Sequence, residues 1–206
     1  MVKHGLLRHK GNHNTHYRHN LPACYSYGAR RHIGLLGGSF NPAHSGHIAL
    51  SQKARIFGHC DQIWWLVSPQ NPLKSNKDMA NYDARLAYAR AFVSSHHWIK
   101  VLSLEIQSGS NYSYDTCLFL QKRSPHTRFT WLMGTDNLCQ LPRWYRARAF
   151  AKQMPCLVFR RKDSFYPALA SQGRRYFAKG GQLRFDPHFN DTQSATALRE
   201  NGFWQR

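Results

Sequence analysis

Short apolar runs alternate with helix-length stretches along most of this chain. Residues 32–37, 62–68, 99–104, 129–133 and 156–160 read as strands, the first of them buried, with Ile63-Trp64-Trp65-Leu66-Val67 the longest purely apolar run. Pro69, Asn71 and Pro72 close the second strand in a loop. Between the strands, residues 45–58, 82–95, 114–122 and 147–153 read as helices. The second carries Leu86, Ala89, Phe92 and Val93 at a helical period, and Pro155 stops the last. Strands alternating with helices predict a single doubly wound, Rossmann-like α/β domain over 32–206. Its sheet is mostly parallel, with helices on both faces. In such a sheet ligands bind beyond the carboxyl ends of the strands, where the strand order switches. The stretch Gly37-Gly38-Ser39-Phe40-Asn41-Pro42-Ala43-His44-Ser45-Gly46-His47 follows the first strand and is therefore expected at the site.

Gly37 and Gly38 permit a close backbone approach by a ligand that a side chain would block. The following helix offers unsatisfied N–H groups and a positive dipole end, which suit a phosphate. His44 and His47 stand three apart and share a face on the first turn. Each can donate to a phosphate oxygen, with Gly46 between them leaving room. A His-x-x-His pair also ligates metals, but a third ligand is not evident. Neither G-x-x-x-x-G-K-[ST] nor G-x-G-x-x-G is present.

The formal net charge of +19 is unevenly placed: no Asp or Glu precedes Asp61, and residues 143–184 hold eleven Lys and Arg against the single acid Asp163. That balance favours phosphate-bearing partners, nucleotide or nucleic acid, without choosing between them. The five cysteines Cys24, Cys60, Cys117, Cys139 and Cys156 form no C-x-x-C pair, which argues against a disulfide framework or structural zinc. Residues 1–31, with five histidines from His4 to His19 and six Lys and Arg, read as a basic, His-rich, disordered extension. No apolar run approaches the ~20 residues of a membrane span. No signal-peptide core follows the start, and a soluble cytoplasmic protein is the expectation.

The residues from Gly37 to His47 resemble the H-x-G-H signature of the nucleotidyltransferase superfamily, and more narrowly the bacterial nicotinate-nucleotide adenylyltransferases. Further motifs follow in the order and spacing of that family. They are VSPQNPLK (67–74), SNYSYDT (110–116), WLMGTDNL (131–138), LPRW (141–144) and SATALR (194–199). The resemblance implies transfer of AMP from ATP to nicotinate mononucleotide, giving nicotinate adenine dinucleotide and pyrophosphate in NAD biosynthesis, with Mg²⁺ bound through the ATP phosphates rather than by the protein. Such a reaction needs neither a general base nor a covalent nucleophile, because the attacking phosphate oxygen is already charged. Positioning and charge stabilisation carry it.

On that resemblance His44 and His47 are the catalytic pair, holding the ATP phosphates with Gly37, Gly38, Ser39, Phe40 and Gly46. Ser194, Thr196 and Arg199 would hold the β- and γ-phosphates at a helix start. On the acceptor side Lys74 adds charge, Asp136 bonds ribose hydroxyls, and Trp144 stacks on the pyridinium ring. Thr116 and Tyr145 help place the nicotinate carboxylate, while Arg143, Arg146 and Arg148 steer both anionic substrates. Asn41 stands where many relatives have Asp. The chain ends shortly after Arg199, where relatives carry a further helix. Nicotinamide mononucleotide and phosphopantetheine are the alternative acceptors. A basic nucleic-acid-binding protein on the same scaffold is the rival of another class. A homo-oligomer is compatible with the sequence but not specified by it.

Overall fold

The computed structural model describes residues 31–69, 79–104, 110–178 and 182–189. Of the expected N-terminal extension only Arg31 is among them. Its carbonyl accepts from Arg128 N (2.8 Å), so it already sits at the amino end of the two central strands.

Six strands form one sheet in the order β3-β2-β1-β4-β5-β6. They are β1 His32–Gly38, β2 Gln62–Val67, β3 Ile99–Leu102, β4 Arg128–Gly134, β5 Cys156–Phe159 and β6 Leu183–Asp186. Every neighbouring pair is parallel. Parallel strands are covered on both faces, so their sequences need not alternate. In β2, Trp64 and Leu66 join one core cluster, with Leu35, Phe129, Trp131 and Met133. Ile63, Trp65 and Val67 join the other, with Leu36, Leu132, Leu157 and Phe159.

The helices divide accordingly. Helices α1 (Ser45–Gly58) and α2 (Tyr82–Phe92) bury Leu50, Ala54, Leu86 and Ala89 against the second cluster. Helices α3 (Ser113–Arg123) and α5 (Ala147–Gln153) bury Cys117, Leu120, Phe150 and Ala151 against the first. Short helices α4 (Thr135–Gln140), α6 (Phe165–Ala170) and α7 (Gln172–Arg175) complete the described set, with single 3₁₀ turns at Leu141–Arg143 and Lys162–Ser164. Among the described residues no helix is long and apolar enough to cross a membrane.

Helices α1 and α5 keep their expected bounds, and the other expected elements are extended or trimmed by one to three residues. Helix α2 stops at Phe92 rather than Ser95, because Val93 leaves helical geometry (φ −103°, ψ 12°) and its N–H closes the last turn on Ala89 O. Strand β6 and helices α4, α6 and α7 have no counterpart in the sequence reading. Each is four to six residues long, too short for an apolar period to show.

Candidate active site

The chain runs outward from β1 through β2 to β3, then returns to β4 on the other side of β1. The carboxyl ends of β1 and β4 therefore flank the switch in strand order, where an open α/β sheet leaves a crevice. One wall is the turn after Gly38. Phe40 takes a left-handed backbone (φ 46°) and Asn41–Pro42 is cis. The turn folds the Phe40 ring inward, where it stacks on Trp65 at 4.9 Å and lies 4.7 Å from the His47 ring. Trp65, a wholly buried residue of β2, is the floor of this group. Its Nε1 donates to Ser51 Oγ (2.9 Å), which donates to His47 O (2.7 Å).

His44 caps α1 and His47 lies in its first turn, with ring centroids 3.8 Å apart. The backbone N–H of His44 donates to Nδ1 of His47 (3.2 Å). A backbone amide can only donate, so Nδ1 is the acceptor and the neutral ring carries its proton on Nε2. In that tautomer Nε2–H is the ring's donor. Gly46 is buried between the two histidines.

Across the switch point, β4 ends at Gly134 and α4 begins at once with Thr135 and Asp136. Thr135 Oγ1 accepts from Arg161 N (2.9 Å), tying the end of β4 to the segment after β5. Asp136 Oδ1 lies 3.3 Å from Arg161 Nε in a half-exposed ion pair. Such a pair adds little stability, and its value here is orientation. Asp136 thus stands at the crevice with one oxygen engaged by Arg161.

A profile of the Cytidylyltransferase-like family matches residues 35–201. A protein of Parvibaculum lavamentivorans named "Probable nicotinate-nucleotide adenylyltransferase" is 39% identical over 187 residues, spanning 84% of this chain and 92% of the relative. One of the same name from Erythrobacter litoralis is 43% identical, spanning 81% and 82%. This chain belongs to the nicotinate-nucleotide adenylyltransferase family. It is a nucleotidyltransferase. The Plasmodium falciparum nicotinic acid mononucleotide adenylyltransferase, solved in complex with NaAD, shares the fold at a TM-score of 0.67. It is 16% identical, with 83% of each chain covered.

The LPRW motif (141–144) falls on the opposite face of the sheet from Phe40. Trp144 packs edge-on to Trp131 (6.1 Å) and Phe150 (5.5 Å) and stays partly exposed. Trp131 in turn lies beneath Gly37: a Cβ there would stand 2.6 Å from its ring. Gly37, Trp131 and Trp144 thus connect the turn after β1 to the loop that carries Trp144. Tyr145, 42% exposed, stacks on Tyr112 at 4.4 Å. Arg146 covers Tyr114 (5.6 Å) and Tyr145 (5.3 Å), and a hydrogen bond with Tyr114 foremost raises its already high pKa. Thr116 is buried, its hydroxyl donating to Tyr112 O (3.3 Å), so it supports the Tyr112 turn from beneath.

Lys74, Ser194, Thr196 and Arg199 lie outside the described residues. Three supporting groups escaped the sequence reading: Trp65, Thr135 with Arg161, and Arg85. Only Arg85 carried a visible signal, a cation on the same helical stripe as Leu86 and Ala89.

No group of three or more His, Cys, Asp or Glu side chains able to hold a metal occurs among the described residues. Magnesium favours oxygen ligands, commonly a carboxylate or two plus substrate phosphates. The β1–α1 turn offers imidazole and backbone N–H donors instead, and Asp136 is engaged with Arg161. The described side chains do not make a protein-held magnesium site.

Proposed function

We propose that this chain transfers the adenylyl group of ATP, supplied as its magnesium complex, to nicotinate mononucleotide. The observation that carries the reading is the hydrogen bond from the His44 N–H to His47 Nδ1 (3.2 Å). With Nδ1 committed to the His44 N–H, the His47 Nε2–H is a fixed donor at the carboxyl end of β1. ATP phosphates lie over the turn from Gly37 to Phe40, against His44, Gly46 and His47, and Ser194, Thr196 and Arg199 hold the β- and γ-phosphates. A phosphate oxygen of the acceptor attacks the α-phosphorus. The bond to the bridging oxygen breaks, and pyrophosphate departs with the electron pair. His44 and His47 stabilise the charge that grows on the transferring group, and no proton need be abstracted.

The acceptor's pyridinium ring stacks on the exposed face of Trp144, whose edge contacts with Trp131 and Phe150 fix its plane. Asp136 bonds ribose hydroxyls, Thr116 and Tyr145 set the loop around the nicotinate carboxylate, and Lys74 adds charge. The test is pyrophosphate release from magnesium-ATP with nicotinate mononucleotide, nicotinamide mononucleotide and phosphopantetheine in parallel. Preference for the nicotinate compound is expected. Equal or reversed preference refutes the acceptor assignment, and salt-sensitive nucleic-acid binding without pyrophosphate release refutes the reaction. His47→Ala should lower kcat by ~10²–10³, the cost of one preorganised donor, with the protein still folded. Near-normal kcat removes His47 from catalysis.

A further inference from the structure

Arg85 sits on the apolar stripe of α2, and only 1% of it is exposed. A charge is buried at such cost only where its donors are satisfied. The Arg85 guanidinium meets that condition with main-chain carbonyls. Nε donates to Ala80 O (3.0 Å), Nη1 to Ser68 O (2.9 Å) and to Ser39 O, and Nη2 to Pro69 O (2.8 Å). These carbonyls belong to three separate stretches: the turn after β1, the end of β2 and the approach to α2. Asn41 adds a parallel tie, its Oδ1 accepting from Ala80 N (3.2 Å). The acceptor oxygen is therefore used at Asn41, and a carboxylate is not required for it.

The geometry points to Arg85 as the positioning residue of the nucleotide turn: one planar cation sets the backbone of Ser39, and through it the approach to Phe40, His44 and His47, against the end of β2. This rests on reading that turn as the ATP site. Only a guanidinium has donors fanned in a plane widely enough to reach all three stretches; a lysine ammonium is a compact point charge on a flexible stem. Arg85 touches no substrate in this assignment. It acts by holding main chain where ATP would lie, and small misplacements of such a frame are costly to rate.

The experiment compares Arg85→Lys and Arg85→Gln with Leu86→Ala, a cavity variant in the same helix that leaves these carbonyl bonds alone. Each is assayed well below its own melting temperature. Wild-type pyrophosphate release is measured first, so failure of the functional reading shows there, independently of Arg85. Both Arg85 variants should raise the KM for ATP by about tenfold or more, moving that for nicotinate mononucleotide less than about threefold. Leu86→Ala should lower the melting temperature with little change in either KM. The inference is overturned if Arg85→Lys matches wild type in ATP kinetics, if both KM values move together, or if Leu86→Ala reproduces the ATP defect. Should one Arg85 variant not fold, the other decides. Should neither fold, the same comparison is made with Asn41→Ala, which cuts the parallel tie and should raise the KM for ATP alone; an unchanged value overturns the inference.

Discussion

Gly37→Ala tests whether the turn proposed to hold ATP and the loop proposed to hold the acceptor are mechanically joined. The added Cβ would meet Trp131 Cζ2 at 2.6 Å and Cη2 at 2.7 Å, whereas ordinary contact begins at 3.4 Å. The ring must retreat by about 1 Å, since carbon pairs are optimal near ~3.5–4.0 Å. Trp131 is buried and wedged edge-on between Trp144 and Phe150 at 6.1 and 5.6 Å, so its retreat presses on Trp144. Overpacking of this kind costs ~1–3 kcal/mol. The loss of backbone freedom in the unfolded chain offsets ~0.4–1 kcal/mol, because Gly37 lies in a strand that alanine can adopt. A net loss of about 1–2 kcal/mol should lower Tm by roughly 2–8 °C for a chain of this size. The displaced Trp144 should raise the KM for nicotinate mononucleotide about tenfold, within the ~10²-fold that a 1 Å misplacement can cost. Calorimetry and pyrophosphate-release kinetics at saturating ATP measure both. An unchanged or higher Tm with an unchanged acceptor KM would show that Trp131 yields freely, and the proposed linkage would fail.

Two further outcomes follow from the other end of the sheet and from the thiols. Burial first, and then the Arg128 charge, hold the His32 pKa below its ordinary 6.5, against the raising effects of the His59 carbonyl and Asp61. The unfolded chain therefore binds the extra proton more readily, so the contribution is complete above about pH 6.5 and is lost as pH falls below it. Urea melts between pH 8 and 5 should show that slope in wild type and a shallower one in His32→Asn; identical slopes refute it. Burial pushes the Cys60 thiol up to about 12 and raises Cys117 and Cys156 as well. Iodoacetamide at pH 8 should leave these three largely unmodified in the native protein and label them after denaturation, as read by peptide mass mapping. Rapid native labelling of any of them contradicts its buried placement.

Much of this protein was legible as one-dimensional pattern. Apolar runs such as Ile63–Val67 read as strands covered on both sides, and their alternation with helices predicts parallel connections. The glycine turn and the two histidines three apart therefore had to fall at the carboxyl edge of β1. These inferences rest on local periodicity and chain connectivity, which a sequence states directly. What the tertiary structure decided is every contact between distant segments. That Asp136 faces Arg161, that Trp131 links Gly37 to Trp144, and that Trp65 floors the Phe40–His47 group depend on strand order and register. Short α4, α6 and β6 likewise owe their form to packing, being too brief to carry a period of their own. Arg85 shows the division most clearly. In the sequence it is a cation out of place on an apolar stripe; only the fold brings the carbonyls of Ser39, Ser68, Pro69 and Ala80 around it. A buried charge is specified by the partners that solvate it, and those partners are chosen by three-dimensional packing rather than by neighbours along the chain.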